Sequence, residues 1–317
     1  MNTGSIHELR PDAFEYAWDN SVEPALEIES GETVLLHVRD ASDEQIGPAS
    51  TAADVAALDF YRVNPVSGPI YVKGAAPGDT LAVELLEGGT PTWGWTAISP
   101  GVGLLADEVT EPWLRISEVT ADTVRFSERI TLPFLPFPGT VGVAPPEPGP
   151  HSIVPPSRWG GNMDTKHLNP GTTLYLPVGV EGALFSLGDT HAAQGDGEVC
   201  GTAIEAAMDV VLRLSVRKDV RVDAPQFDRP YGSSDGSILN RLHGFHVCTG
   251  VGPDLMECAR DAVRATIGWL GENYGLEREE AYAVASVACD LRIHEVVDVP
   301  NWVVGMFLPE TIMGGRS

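Results

Sequence analysis

Glycine and proline interrupt this chain so often that short regular segments are favoured over most of its length. They occur 34 and 25 times in 317 residues, and prolines remove backbone donors while glycines weaken helices. Between them lie segments rich in β-branched residues, which are typical of strands. These segments are residues 33–38, 70–73, 80–86, 123–126, 172–178, 212–216 and 291–297. We therefore expect short strands joined by turns through most of the first two thirds.

The last third changes character, because apolar residues recur there with helical spacing. Asp254 is placed to cap a helix that runs to just before Gly271, and residues 277–288 predict a second amphipathic helix. The sequence thus predicts an α+β fold that is predominantly β. We expect an antiparallel β-sandwich-like body over residues 1–205, with a smaller α+β portion over residues 206–317 packed on it.

The segment from Leu132 to Pro156 is unusually rich in proline. A proline ring removes one backbone donor and disfavours a helix before it. We therefore expect an ordered, extended segment that crosses the body, and not a strand in the middle of a sheet.

The charge balance restricts the partners of the chain. Asp and Glu number 45 against 20 Lys and Arg, for a formal net charge of -25. Such a charge repels nucleic acids and anionic membranes and favours a small neutral substrate. The N-terminal residues lack a basic leader with an apolar core, and no apolar run reaches the roughly 18 residues that span a bilayer. We expect a cytoplasmic protein.

Metal-ligating side chains are concentrated in one glycine-rich stretch. It contains Asn162, Asp164, His167, Asp189, His191, Asp196, Glu198 and Glu205. Carboxylates and imidazoles on a flexible backbone can converge on a divalent cation. The predicted metal ligands are Asp164, His191 and Glu198, with Asp196 as a fourth ligand or a partner of the ligands. Mixed nitrogen and oxygen ligands favour zinc, while an all-oxygen subset would suit calcium.

Several residues of this stretch have a predicted role in amide hydrolysis, for which a metal activates water and a carboxylate moves the proton. We assign catalytic roles to Asn162, Asp196 and Glu198, and substrate binding to Asn162 and Lys166. Asp189 is a candidate acceptor for His191, and the carboxylate of Glu205 is placed to reach back into the site. Each of these residues also has a purely structural alternative as a turn, cap or surface residue.

Two other patterns occur outside this stretch. Residues 232–236 match the G-x-S-x-G pattern of a nucleophilic serine, but neither a buried strand before them nor a helix after them is evident, so a polar turn is favoured. Asp290 and Arg292 are expected to form a buried structural pair. A different class of function, a non-catalytic binding protein with a structural calcium site, stays open from the residues alone.

Blocks spread over nearly the whole chain resemble the acetamidase/formamidase family. They include NPVSGPIYVKGAAPGDTLAVELLE, PGVGLLAD, FPGTVGVAP, GGNMD, LYLPV, GALFSLGDTHAAQGDGE, GTAIE and AYAVASVACDLRIHEVVDVPN. The resemblance implies hydrolysis of formamide, acetamide and other short aliphatic amides to a carboxylate and ammonia. It also implies a β-rich fold with a smaller α+β portion and assembly as a homo-oligomer, a dimer or larger. The family's acidic, amide and histidine positions fall on Asn162, Asp164, His191, Asp196 and Glu198.

Overall fold

The computed structural model describes residues 6–229 and 244–309, and strands dominate them. Numbered along the chain, the strands are β1 Ile6–Glu8, β2 Phe14–Glu15, β3 Leu26–Ile28, β4 Glu32–Val38, β5 Val66–Val72, β6 Thr80–Gly88, β7 Trp93–Ile98, β8 Trp113–Val119, β9 Thr123–Arg125, β10 Thr131–Pro133, β11 Phe137–Val143, β12 Gly160–Asn162, β13 Thr173–Pro177, β14 Phe185–His191, β15 Met208–Arg217, β16 Gln226–Arg229, β17 Phe245–Gly252, β18 Asp290–Glu295 and β19 Trp302–Pro309. The helices are α1 Ala52–Ala56, α2 Leu255–Tyr274 and α3 Arg278–Ala288, and a 3₁₀ turn covers Phe60–Arg62.

The strands form three sheets that are almost entirely antiparallel. The largest has the order β1-β4-β15-β6-β13-β16-β17-β19-β18, a smaller one is β10-β9-β8-β7, and the third is β12-β11-β14-β5-β2 with β3 also paired to β5. Only the pairs β1–β4 and β3–β5 run parallel among the paired strands of the described chain. The prediction of a predominantly β, antiparallel α+β fold is confirmed.

One buried core lies between the nine-stranded sheet and the sheet that contains β11 and β14. It brings together Leu36 and Leu174 from the first sheet with Val141 and Leu187 from the second. Strand β4 shows the physical cause, since its alternate residues Val34, Leu36 and Val38 are buried while those between are half-buried. The two packed sheets give the sandwich-like body that the alternating sequence predicts.

The expectation for the proline-rich segment is wrong in its central part. Strand β11 lies in mid-sheet between β12 and β14, and all seven of its residues are buried. The proline in this strand, Pro138, removes only its own backbone donor, whereas residues 139–143 contain no proline and pair with strands on both sides. A high local proline content thus did not prevent one proline-poor run from entering the sheet.

The helices lie where the sequence places them. The Asp254 carboxylate accepts hydrogen bonds from the backbone N–H groups of Met256 and Glu257, both at 2.9 Å. The predicted end before Gly271 is too early, because α2 continues to Tyr274 and ends at Gly275, which has a left-handed φ of 67°. Its two interior glycines, Gly268 and Gly271, cost the helix about 1 kcal/mol each, which packing against β17 and β19 offsets.

Other predictions have mixed outcomes. Asp290 and Arg292 lie 3.6 Å apart, but the Asp290 side chain is 74% exposed, so the expected buried pair is wrong. The polar turn predicted at residues 232–236 lies outside the described residues.

The predicted division of the chain at residues 205/206 stays a prediction. Strand β15 lies between β4 and β6, so one sheet combines strands from both sides of residue 205. In the described parts of the chain, none of the helices has both the length and the apolar character required to cross a membrane.

Candidate metal centre

Three neighbouring strands bring the distant parts of the predicted site together. In the centre, Thr140 of β11 lies opposite Asn162 of β12 on one side and Gly188 of β14 on the other. Asp164 therefore follows β12 at the place where Asp189 and His191 end β14. Register between adjacent antiparallel strands, and not proximity in sequence, determines this meeting.

The neighbouring carboxylates surround the imidazole of His191, which is fully buried. Its Nε2 lies 3.1 Å from Asp189 Oδ1 and 3.0 Å from Glu205 Oε2, with Glu198 Oε1 at 4.0 Å. Burial alone would lower the pKa of His191, but the charges of Glu205 and Asp189 and their hydrogen bonds hold it well above its usual value. Without a bound cation, His191 is therefore an imidazolium, which donates to Asp189 and forms an ion pair with Glu205.

The other ring nitrogen of His191 has a neutral partner. Its Nδ1 lies 2.9 Å from Oε1 of Gln194, whose Nε2 donates to the backbone carbonyl of Asp164 at 2.6 Å. An amide oxygen only accepts, so this contact places a proton on Nδ1. Gln194 thus connects His191 to the backbone of Asp164 and leaves Nε2 as the nitrogen that can bind a cation.

Both carboxyl oxygens of Asp164 are buried, and no N–H or hydroxyl group among the described residues donates to either of them. The groups that face it are the carboxyls of Glu198 and Asp298. Burial, followed by the charge of Asp189, raises the pKa of Asp164 to about 6. One ligand atom each from Asp164, His191 and Glu198 lies within 4.8 Å of the others, and Asp189, His191 and Glu205 form a second such group. Both groups have His191 in common.

Six carboxyl groups converge here; five of them are buried and Asp298 is half-buried. They belong to Asp164, Asp189, Glu198, Glu205, Glu295 and Asp298. Burial is the first cause that raises the pKa of Glu205 and Glu295 to about 8 and those of Glu198 and Asp298 well above the usual range, with neighbouring carboxylates adding to it. Asp189 is the exception: burial would raise its pKa, but the charge of His191 and the hydrogen bonds of His191, Glu205 and Thr140 together lower it. A cluster with so much negative charge favours a bound cation.

The backbone around the cluster is strained and closely packed. Asp164, Asp189 and Glu198 have left-handed φ angles of 42°, 55° and 45°, and such strain is concentrated at functional sites. Gly139 of β11 forms the floor, because a Cβ there would overlap Asp164 Oδ1 and lie 2.8 Å from His191 Cε1. The Gly139 carbonyl also accepts from the N–H of Asp164 at 3.2 Å.

The remaining predicted residues lie around this cluster. Asn162 accepts from Thr140 Oγ1 at 2.5 Å and donates to Asp298 Oδ2 at 2.7 Å. Lys166 Nζ lies 3.2 Å from Asp196 Oδ2, and both side chains are about one third exposed or less, at 28% and 33%. Asp196 belongs to neither ligand group found among the described residues. The structure thus places Lys166 and Asp196 together as a pair.

Sequence reasoning overlooked two acidic residues of the cluster and its glutamine. Glu295 ends β18 and Asp298 lies in the loop that follows, where Glu295 Oε1 accepts from the backbone N–H groups of Val297 and Asp298. The available signal was a pair of acids in the otherwise apolar run that follows His294. Gln194 carried no signal, because glutamine is seldom a metal ligand.

Several known proteins resemble this chain in sequence or in fold. A formamidase from Methylophilus methylotrophus is 26% identical over 90% of this chain and 86% of its own length. An acetamidase from Mycolicibacterium smegmatis is 29% identical over 63% of this chain and 65% of its own. The crystal structure of an acetamidase from Bacillus halodurans is 32% identical, covers 96% of this chain and 98% of its own, and superposes with a TM-score of 0.86.

A sequence profile of the acetamidase/formamidase family matches residues 6–152 and 148–314, which together span almost the whole chain. The blocks of sequence that suggested the resemblance lie within these ranges. The chain belongs to the acetamidase/formamidase family.

Proposed function

We propose that this protein hydrolyses short aliphatic amides, such as formamide and acetamide, to a carboxylate and ammonia, with a divalent cation held by Asp164, His191 and Glu198. The observation that carries the proposal is the convergence of these three buried side chains to within 4.8 Å. The formamidase and acetamidase names of the relatives support the choice of substrate.

The donor set fits a metal of the zinc type. One imidazole nitrogen and two carboxylates form a three-ligand set of the kind that catalytic zinc sites use, with a position left for water or substrate. Asp164 offers two buried oxygens without donors, and Gln194 fixes the tautomer that presents His191 Nε2. Calcium is the second choice, because imidazole is a poor ligand for it.

A cation bound here would supply Lewis acidity and lower the pKa of a bound water towards about 7. The chain's own residues supply the rest of the reaction. Glu198 is a buried carboxyl of the ligand set, and the oxygen that would not hold the cation is suited to take a proton from water and pass it to the departing nitrogen. Asn162 is held at both ends of its amide by Thr140 and Asp298, so its second N–H can orient the substrate. Asp196 positions Lys166, which we propose to contact the substrate.

Removal of metal tests the proposal directly. The purified protein should contain a divalent transition metal and release ammonia from formamide, acetamide or propionamide. Dialysis against a chelator should lower the rate by about 10³-fold or more, since metal activation supplies several kcal/mol, and zinc should restore it. Full activity in metal-free protein would contradict the mechanism. Calcium binding without ammonia release under any metal would support the binding-protein alternative.

Metal affinity is expected to depend strongly on pH. Binding must displace the proton on His191 Nε2, and Glu198, whose pKa is also raised, must lose its proton too, so affinity should rise more than tenfold per pH unit until these raised pKa values are passed. Below about pH 6 the rise should be steeper, because Asp164 then also loses a proton on binding. Titration calorimetry in two buffers of different ionisation enthalpy should show net proton release. An affinity independent of pH would exclude His191 as a ligand.

A further inference from the structure

His294 is an extra residue in strand β18. In the pairing with β19, Ile293 lies opposite Val304 and Glu295 lies opposite Val303. His294 therefore has no residue opposite it and forms a β-bulge. Side chains normally alternate between the two faces of a strand, yet His294 and Glu295 are both buried, at 1% and 0% exposure. The bulge thus turns two successive side chains inward, as bulges next to active sites often do.

The imidazole of His294 lies among aromatic rings. Those of Phe227 and Phe307 have centroids 5.9 and 5.4 Å from it. Gly305 leaves room for the ring, because a Cβ there would overlap Nε2. Burial is the first cause that lowers the pKa of His294 well below its usual range, so the ring is neutral. Among the described residues, none forms a hydrogen bond with Nε2.

The other ring nitrogen of His294 holds Thr165. Nδ1 lies 2.9 Å from Thr165 Oγ1, and that hydroxyl donates to the carbonyl of Met163 at 3.2 Å. A hydroxyl has a single proton, so Nδ1 carries the proton of the neutral ring and donates to Oγ1. Nε2 is then a buried acceptor, a cost that an apolar side chain would avoid. The hydrogen bond to Thr165 is therefore what His294 provides and an apolar residue would not.

The backbone of His294 contacts a second segment of the metal centre. Its carbonyl accepts from the N–H of Gly197 at 2.8 Å. Thr165 directly follows Asp164, and Gly197 directly precedes Glu198. Both of these proposed ligands have a left-handed φ, 42° and 45°, and such strain persists only where surrounding contacts hold the backbone. His294 supplies one contact to the neighbour of each ligand.

We propose that His294 is a positioning residue of the metal centre, whose side chain and carbonyl hold Asp164 and Glu198 at the separation that a cation requires. The proposal rests on the proposed metal site and adds a residue that binds neither cation nor substrate. Because His294 acts through Thr165 and Gly197, its loss should weaken metal binding without abolishing it. Groups that orient metal ligands typically contribute about 10- to 100-fold to metal affinity.

Two substitutions of similar size isolate the hydrogen bond. His294→Asn keeps a donor close to the position of Nδ1, whereas His294→Leu has a similar shape without one. Zinc affinity, measured by competition with a chromophoric chelator, should fall about tenfold or more for His294→Leu and less than about threefold for His294→Asn. In metal-free protein His294→Leu should be at least as stable to denaturant, because its surroundings are apolar. A merely structural role would instead make zinc affinity follow stability.

Thr165 tests the same hydrogen bond from its other end. Thr165→Val removes the hydroxyl and should weaken zinc binding, whereas Thr165→Ser keeps it and should bind zinc nearly as the native protein does. In a Thr165→Val background, His294→Leu should cost no further affinity, because both changes remove one contact. Additive losses, or equal zinc affinity of the native protein and His294→Leu, would overturn the proposal. If His294→Leu does not fold, the two Thr165 variants decide.

Zinc affinity separates this proposal from the proposed function. A native protein that binds zinc but releases no ammonia from amides would refute the hydrolysis, while the comparison of His294→Asn with His294→Leu would still decide the role of His294. Native amidase activity with equal zinc affinity in both variants would refute the positioning role alone. A native protein without affinity for zinc or another divalent transition metal would overturn both.

Discussion

When both proteins are free of metal, the Asp164→Asn variant is expected to melt at a higher temperature than the native protein. It is also expected to have almost no amidase activity. Asp164 faces the carboxyls of Glu198 and Asp298, which donate to it only while they are protonated, and no N–H or hydroxyl group reaches either of its oxygens. An asparagine amide is nearly isosteric, carries no charge and can donate to those carboxyls. The same substitution removes a charged ligand from the proposed metal site.

The size and pH range of this stabilisation follow from the pKa of Asp164. Its rise from 3.8 to about 6 means that the ionised carboxylate lowers the free energy of unfolding by on the order of 3 kcal/mol above pH 6. Because the pKa of this acid is higher in the folded state, its ionisation destabilises the fold fully above the folded-state pKa of about 6. It has no effect below the unfolded-state pKa of 3.8. The variant should therefore gain several degrees in melting temperature near pH 8 and nothing near pH 4.

Activity should change in the opposite direction. Loss of one charged ligand should lower kcat/KM by about 10²- to 10³-fold, measured as ammonia release with added zinc. Zinc should also stabilise the native protein more than the variant, because the variant binds it less tightly. A variant with native activity would remove Asp164 from the ligand set. A less stable variant would show that carboxylate repulsion does not dominate at this position.

Asp189→Asn is the matched control, because Asp189 is also buried and also has a left-handed φ, which asparagine tolerates. Its carboxylate pairs with the imidazolium of His191, which lowers the pKa of Asp189 despite burial. Neutralising Asp189 should therefore destabilise the metal-free protein, whereas neutralising Asp164 stabilises it. Equal effects of the two substitutions would mean that the site does not distinguish a paired carboxylate from an unpaired one.

Local patterns predicted much of this architecture. The alternation in β4, the Asp254 cap and the close spacing of Asp189, His191 and Glu198 are all encoded within short segments. Asp164 could be assigned to the same site because cation-binding residue types were concentrated nearby. Such features depend on a few neighbouring residues, which sequence analysis treats well.

The remainder depends on pairing between distant strands. Asp298 reaches Asn162, 136 positions earlier in the chain, only because the end of β18 meets the sheet edge near β12. No local pattern specifies that approach, so a buried pair was predicted at Asp290 and Arg292, while the acids that follow them were overlooked. The same limit explains β11, whose place in mid-sheet follows from its partners β12 and β14 and not from its proline-rich surroundings.

The Gly139→Ala variant should lose both metal binding and activity although it adds a single methyl group. Alanine normally stabilises a strand relative to glycine by roughly 0.5–1 kcal/mol, and the φ of Gly139 lies outside the left-handed region, so backbone strain is not the obstacle. The new Cβ would instead overlap Asp164 Oδ1 and crowd His191 Cε1 and Asp189 Oδ2, at 2.8 and 2.9 Å. These overlaps can be relieved only if the side chains of the proposed metal site move.

Displacement of ligands in a close-packed site is costly in two ways. Overpacking should lower the free energy of unfolding by about 1–3 kcal/mol, and ligand shifts approaching 1 Å should reduce kcat/KM by about 10²-fold. Gly268→Ala is the control, since Gly268 lies in α2 with no atom near its potential Cβ, and it should gain about 1 kcal/mol. Denaturant unfolding measures the change in stability, zinc content measures metal binding, and ammonia release measures kcat/KM.

A double-mutant cycle separates steric displacement from a general loss of packing. In an Asp164→Ala background the main atom that Gly139→Ala would strike is absent, so the stability cost of the added methyl should shrink. His191 and Asp189 would still crowd it, which should leave part of the cost. Additive costs would show that the methyl group acts elsewhere in β11, and Gly139 would then be an ordinary strand residue and not the floor of the metal centre.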